Sequence, residues 1–148
     1  MNFFTSYFGN LKNTDNARYM HMSIARYTPD FFKTLISEKQ NYFNGPALAP
    51  SEHLLADYKE GRCSQDVFKT KYITEVFDFI TKKQCLSVKD YIERIISIYG
   101  DDYDGLIFYC YELPEEFCHR HLLAKLFNIH GYKCEEIKNE QRLTSALF

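Results

Sequence analysis

The sequence predicts an α/β fold, with a small, mostly parallel, Rossmann-like sheet flanked by helices and a helical insertion before the third strand. Residues 106–109 form a nearly continuous apolar run, which is typical of a strand covered on both faces. A helical pattern and a short strand at residues 132–137 follow it, so this segment predicts a β-α-β unit with a right-handed crossover. Two strand patterns and four helical patterns precede it in the chain.

The first part of the chain predicts two short strands and a helix. Residues 2–8 and 19–25 have strand composition and end near turn signals. Thr28, Pro29 and Asp30 supply an N-cap, a first-turn proline and an acid, so a helix should begin there. Its inward face should carry Phe31, Phe32, Leu35 and Ile36, and residues 44–46 should form the loop that ends it.

Three more helices are predicted before the central strand. Ser51 and Gly61 bracket the first of them, and Ser64 caps a longer second one. Ser87 with Asp90 resembles a capping box for the third.

The last helix is predicted to begin near Glu115. Pro114 cannot continue a strand ladder, and acids in a first helical turn are favourable against the helix dipole. Gly131 is the expected left-handed stop. The apolar stripe between them consists of Leu122, Leu123, Leu126, Phe127 and Ile129.

Composition limits the class of protein. With 148 residues and 45% hydrophobic content, we expect one α/β domain over residues 1–148. The net charge of −2 provides no basic excess, so general nucleic-acid binding is not expected. Neither a signal peptide nor a membrane span is recognisable, so we expect a cytoplasmic protein without membrane contact. Its five cysteines should then be thiols.

Polar and titratable residues concentrate at residues 110–121, where the central strand ends and the last helix begins. Open α/β sheets bind their ligands at this edge. Glu112 follows the buried strand, and partial desolvation would raise its carboxyl pKa toward that of a general base. The alternative for Glu112 is a structural carboxylate paired with an arginine.

Cys118, His119 and Arg120 are the other candidates at this junction. Cys118 precedes His121 by three residues, a spacing that brings the two side chains together on one helix face. Cys118 is then either a nucleophile whose thiol pKa the imidazole lowers, or a buried cysteine that fills apolar space. His119 is expected about a hundred degrees away from Cys118 on a regular helix. Arg120 could hold an anion together with the helix N-terminus, or form a surface pair with Glu116.

Residues from the first two strands should join this edge of the sheet. Tyr7 and Asn10 follow the first strand and Arg26 follows the second, and we expect them to bind substrate. An ion pair between Arg26 and Glu112 is a structural alternative.

No metal and no cofactor are assigned from the sequence. Cys110, Cys118 and a histidine suit zinc, but three ligands without a clear fourth are a weak signal. No glycine-rich dinucleotide motif or phosphate-binding loop motif is present.

The run CYELPEEFCHRHLLA, which begins at Cys110, resembles the central motif of the Domain of Unknown Function 488 family of bacterial and phage proteins. SYFGNL at residues 6–11 is similar to the opening of that family, and LAPS at residues 48–51 to its middle segment. The resemblance implies a compact α/β domain without an established reaction. The chain departs from the family pattern at Tyr27, where the family has glycine, and this affects the expected pocket size.

These observations favour an enzyme acting on an anionic small substrate such as a nucleotide or a nucleic-acid base. Arg120 and Arg26 would bind the anion, Glu112 would act as acid and base, and Cys118 or His119 would assist. The alternative is a non-catalytic module that binds an anionic ligand or has a regulatory role. A third expectation is a homodimer or another complex formed through residues 141–148, which include Leu143, Leu147 and Phe148.

Overall fold

The computed structural model describes residues 1–138 and confirms the predicted Rossmann-like α/β fold. Within these residues, one all-parallel sheet is flanked by six helices. The strands are β1 (Asn2–Tyr7), β2 (Tyr19–Ser23), β3 (Tyr42–Asn44), β4 (Gly105–Cys110) and β5 (Cys134–Glu136). The helices are α1 (Leu11–Thr14), α2 (Asp30–Glu38), α3 (Glu52–Lys59), α4 (Gln65–Asp78), α5 (Val88–Tyr99) and α6 (His119–Ile129).

The sheet order is β3-β2-β4-β1-β5, so the apolar strand β4 is central, as its composition predicts. All six residues of β4 are buried. Tyr7 at the end of β1 lies beside Cys110, and Ser23 at the end of β2 lies beside Tyr109. The carboxyl ends of the three middle strands therefore meet at one edge of the sheet.

Helices cover both faces of the sheet. On one face, residues of α4, α5 and α6 pack on β1, β2 and β4 in a cluster that includes Tyr72, Ile92 and Phe127. On the other face, Phe32 of α2 packs on Tyr42 and Tyr109. Burial on both faces explains why β4 has no alternation of polar and apolar residues.

The helix starts that depend on serine caps are confirmed. The Oγ atoms of Ser51, Ser64 and Ser87 accept hydrogen bonds from the backbone three residues later, at 3.2, 3.2 and 3.1 Å. The expected Thr28 cap is wrong, because Thr28 Oγ1 instead bonds Ser23 Oγ at 2.7 Å and Pro29 occupies the N-cap of α2. Phe31, expected inside, is half exposed.

Two predicted boundaries near the site are wrong. Residues 42–44 form β3 rather than leading into a loop, since Tyr42 pairs with His21 of β2. The last helix begins at His119 and not near Glu115. Glu116 closes a turn instead, because its N–H donates to Leu113 O at 3.0 Å and its Oε1 accepts from Leu113 N at 3.1 Å.

The sequence also led to two expectations about partners, namely the absence of membrane contact and the binding of a second copy. Among residues 1–138, no helix is both long and apolar enough to cross a membrane. The segment 141–148, which we expected to bind a second copy, lies outside the described residues.

Candidate functional site

Two thiols and an imidazole meet where β4 ends and α6 begins. Cys110 is the last residue of β4, and Cys118 is the N-cap of α6 with an extended backbone. The Sγ atoms of both cysteines lie 3.9 Å from Nδ1 of His119. All three side chains are buried, and their ligand atoms lie within 4.8 Å of one another. The seven-residue loop between the cysteines therefore brings Cys118 close to Cys110.

His119 is held in one orientation by a backbone carbonyl. Its Nε2 lies 2.6 Å from the carbonyl oxygen of Ile24, just after β2, and must be the donor because a carbonyl only accepts. In the neutral ring, Nδ1 therefore presents its lone pair to the two sulfurs. The ring of Tyr72 on α4 packs against the imidazole with centroids 5.2 Å apart.

The expectation that His119 points away from Cys118 is wrong. It assumed that both residues belong to a regular helix, whereas Cys118 precedes the helix with φ −154° and ψ 145°. The extended backbone at Cys118 places its sulfur beside the His119 ring. His121 is not among the mutually close ligand atoms around Cys118, and its Nδ1 lies 3.8 Å from the carboxylate of Glu136 instead.

The two thiols differ in acidity. Burial alone raises the pKa of the Cys118 thiol, but hydrogen bonds with Cys110 and His119, together with the nearby charge of Arg120, lower it below its ordinary value. The hydrogen bond to Cys118 raises the pKa of the Cys110 thiol, and burial adds to this. Cys118 is therefore the thiol that ionises first, while Cys110 keeps its proton.

Glu112 lies beside this pair, at the mouth of β4. Burial raises the pKa of its carboxyl group, and the charge of Cys118 raises it further. Its Oε2 is buried without a hydrogen-bond partner among residues 1–138. The structure thus agrees with the expected desolvation of this carboxylate.

Arg120 is buried completely and pairs with Glu136 of β5 rather than with Glu116. Its Nε and Nη2 donate to the two carboxylate oxygens of Glu136 at 3.0 and 3.1 Å. Thr5 Oγ1 donates to the same carboxylate at 2.6 Å. Nη1 of Arg120 is buried without a partner in the described part of the chain, so the guanidinium keeps unused donor capacity.

The three residues expected from the first two strands lie at this edge, and two of them, Asn10 and Arg26, form hydrogen bonds with other parts of the chain. Tyr7 is buried beside Cys110. Asn10 Nδ2 donates to Ser6 Oγ at 3.2 Å and to the carbonyls of residues 137 and 138 at 3.4 and 3.3 Å, so it holds the chain after β5.

Arg26 holds a loop and does not pair with Glu112. Its guanidinium donates to the carbonyls of Pro50 and Pro46 at 2.8 and 3.0 Å. The structural alternative of an ion pair between Arg26 and Glu112 is therefore wrong, since none of the ion pairs within residues 1–138 joins them.

Aromatic residues form the exposed rim of this edge. Tyr111 is half exposed, its hydroxyl donates to the carbonyl of Tyr27 at 2.6 Å, and its ring packs on Phe8 with centroids 4.9 Å apart. Tyr27, where the resemblance implies glycine, is also exposed, so its side chain takes no space inside the buried cluster.

A groove of about 390 Å³ opens on the same side of the molecule. Its lining consists of Leu113, Pro114, Glu115 and Lys138. The first three belong to the loop between Cys110 and Cys118, so this loop separates the groove from the buried thiols.

Two residues that contribute to the site were not identified from the sequence. Glu136 was missed because its partner Arg120 lies 16 positions away. Two glutamates in a three-residue strand were the available signal, since charged residues are depleted in strands and need a partner when they are buried. Tyr72 is one of the apolar residues of the helix that Ser64 caps, and its periodicity alone gave no indication of contact with His119.

Comparison with known proteins gives a family match. A family model described as the active DUF488-N3 subclade matches residues 10–131, which is most of the chain. No curated protein and no solved structure matches.

Proposed function

The chain belongs to the DUF488 family, and on that basis we propose that it is an enzyme acting on an anionic small substrate, such as a nucleotide or a nucleic-acid base. The observation that carries this proposal is the packing of Cys118, His119 and Glu112 at the carboxyl edge of a parallel sheet. Active sites of α/β proteins are found at this edge. The description of the matching model as an active subclade also supports an enzyme over a module that only binds.

In this proposal Glu112 transfers protons to and from the substrate, while Cys118 and His119 assist at the reacting centre. Glu112 is the carboxylate beside the two thiols, with which its carboxyl group forms hydrogen bonds, and its Oε2 oxygen has no partner within residues 1–138. A side chain that exchanges protons with a substrate must be free to form a hydrogen bond with it. Glu112 meets this requirement, whereas Glu136 is fully engaged by Arg120 and Thr5.

The anionic character of the substrate is inferred from the first turn of α6. This helix has eleven residues, and its N-terminus carries a partial positive charge. Arg120 lies in that turn with its Nη1 unpaired among the described residues. Tyr7 and Arg26 lie at the same edge, and Asn10 fixes the neighbouring chain, so we assign these three residues supporting roles around the substrate.

The proposal is tested by incubating the purified protein with a panel of nucleobases and nucleoside mono- and diphosphates and analysing products by mass spectrometry. For any substrate converted, Glu112→Gln should reduce kcat by about 100-fold or more. Glu38→Gln, an exposed carboxylate on α2, is the matched control and should keep full activity. Unchanged turnover in a folded Glu112→Gln protein would remove Glu112 from the mechanism.

The alternative is a non-catalytic module that binds an anionic ligand or regulates a partner, and the burial of Cys118 favours it. Only 3% of this residue is exposed, so a substrate reaches its sulfur only if the loop over residues 111–117 moves. Under this alternative no panel compound is converted, yet one of them raises the melting temperature of the wild-type protein. Cys118→Ser would leave that binding unchanged, whereas in the enzyme it lowers turnover.

A further inference from the structure

Cys110, Cys118 and His119 have the chemistry and the arrangement of a zinc site. Thiolate sulfur and imidazole nitrogen are the ligands that zinc prefers, and three protein ligands with an open fourth position are typical of zinc ions that also bind water or substrate. We propose that these three side chains bind one zinc ion. This inference goes beyond the proposed function and does not depend on it.

The distances are close to those of a tetrahedral site. Zinc lies about 2.3 Å from sulfur and about 2.0 Å from nitrogen, so two such ligands at a tetrahedral angle are roughly 3.6 Å apart. Both sulfurs lie 3.9 Å from Nδ1 of His119. A contraction of about 0.3 Å along each contact would bring them to the expected separation.

The hydrogen bond donated by Nε2 of His119 is of the kind that zinc-binding histidines make. A ligating histidine usually donates its second N–H to a carboxylate or a backbone carbonyl, which fixes the tautomer and directs the lone pair at the metal. Nε2 of His119 donates to the carbonyl oxygen of Ile24 at 2.6 Å, so Nδ1 is the nitrogen left to coordinate. The ring of Tyr72 packs against the same imidazole and restricts its rotation.

The ligands are attached to rigid parts of the fold. Cys110 lies in the central strand, with β1 on one side and β2 on the other. Cys118 and His119 begin α6, which packs on β1 and β4 through Leu123 and Phe127. Ligands fixed by their scaffold lose little freedom when a metal binds.

Charge also favours a divalent cation in this buried position. Two thiolates and a neutral imidazole carry a charge of −2, which one Zn²⁺ ion neutralises. The charge of Arg120 is largely balanced by the carboxylate of Glu136, to which two of its nitrogens donate. Both cysteines can be thiolates in this apolar interior only while a cation binds them, so zinc binding would release the proton that Cys110 keeps without metal.

Metal analysis of the wild-type protein is the first test. Protein produced in zinc-supplemented medium should contain about one zinc ion per chain by mass spectrometry of the elements. After chelation, titration with Co²⁺ alone should produce the intense near-ultraviolet absorption of thiolate-to-cobalt charge transfer. Absence of both zinc and the cobalt signal would overturn the proposal, and this result does not depend on how any variant folds.

Substitutions then locate the site. Cys110→Ser, Cys118→Ser and His119→Gln should each reduce zinc content to less than about a tenth, because each removes one of three ligands. Cys63→Ser and Cys85→Ser, at thiols outside the cluster, are the matched controls and should keep the metal. Zinc content that falls in the control variants but not in the cluster variants would overturn the proposal.

The Glu112→Gln variant separates this inference from the proposed function. Glu112 is not part of the group of mutually close ligand atoms, so its replacement should leave the zinc content unchanged. Zinc in this variant together with full turnover would contradict the proposed function alone. Lost turnover in a protein that never binds zinc or cobalt would contradict the metal site alone.

Discussion

The guanidinium of Arg120 forms two hydrogen bonds with the carboxylate of Glu136, at 3.0 and 3.1 Å, and so joins the first turn of α6 to the edge strand β5. Thr5 of β1 donates to the same carboxylate at 2.6 Å. Three elements that meet near the candidate site are thus connected through one buried charge pair. The pair positions Arg120 and maintains the backbone on which Cys118 and His119 lie.

We expect Arg120→Met to lower the free energy of unfolding by about 3–5 kcal/mol, because it leaves the largely buried Glu136 carboxylate without the charge of Arg120. Urea denaturation at pH 7 measures this loss.

A double-mutant cycle with Glu136→Gln tests whether the loss arises from the pair. The double variant should be clearly more stable than the sum of the single losses predicts, since neither charge is then left alone. Additive losses would show that Arg120 stabilises the fold through packing and not through Glu136.

We expect stability to fall below pH 6.5 because of His21. This histidine is buried between Tyr42 and Tyr109, and burial lowers its pKa from 6.5 to about 4. Between these pH values the unfolded chain binds a proton that the folded chain does not, so the free energy of unfolding decreases as pH falls. The loss should approach about 3 kcal/mol near pH 4.

Comparison with His21→Gln isolates this contribution from that of the carboxylates. Urea denaturation of both proteins between pH 4 and pH 7 should show a steeper pH dependence for the wild type. Parallel curves would mean that His21 becomes protonated in the folded protein.

Tyr72→Phe tests the hydrogen bond that joins α4 to the segment before α3. The Tyr72 hydroxyl donates to the carbonyl of Leu48 at 2.7 Å, and both groups are buried. Its removal leaves that carbonyl unpaired, so we expect a loss of about 1–3 kcal/mol in unfolding free energy. The substitution keeps an aromatic ring against His119, so the zinc content should not change. An unaltered unfolding curve would indicate that water replaces the hydroxyl.

Gly105→Ala is expected to destabilise the fold at the start of the central strand. A Cβ atom at this position would lie 2.4 Å from the backbone oxygen of Asn2 in β1 and 2.5 Å from the ring of Tyr19 in β2. Since the first contact is with backbone, the strands must separate, at a cost of about 1–3 kcal/mol. Gly61→Ala is the comparison, because nothing lies within 4 Å there and only its φ of 76° opposes alanine, at about 1 kcal/mol. Equal losses for the two variants would contradict this packing argument.

Local signals in the sequence predicted much of the fold. Ser51, Ser64 and Ser87 cap their helices through hydrogen bonds to residues only three positions later in the sequence. The continuous apolar run of β4 likewise indicates in the sequence that this strand is buried on both faces. The strand β3 was missed because it is only three residues long and exists through pairing with β2, a contact that no local pattern encodes. The start of α6 was placed too early because Glu115 and Glu116 resemble a first helical turn, whereas Glu116 closes a turn with Leu113.

The candidate site, like the fold, could be predicted where the signal is local in the sequence but not where it depends on tertiary contacts. The sequence predicted that charges and thiols collect between residues 110 and 121, and the structure places Glu112, Cys118 and His119 together. The partners of Arg120 and Arg26 were not predictable, because Glu136 and the loop that contains Pro46 reach them only through the tertiary fold. Their roles in substrate binding stay predictions.

The pairing of β1 with strands that are distant in the sequence has a consequence for folding during synthesis on the ribosome. β1 pairs only with β4 and β5 within residues 1–138, so this strand has neither of these neighbours until about a hundred further residues have been translated. β2 and β3 can pair much earlier during translation, because only one short helix separates these strands in the sequence. Such distant pairing slows folding and leaves an apolar strand uncovered in the nascent chain, where chaperones can bind it.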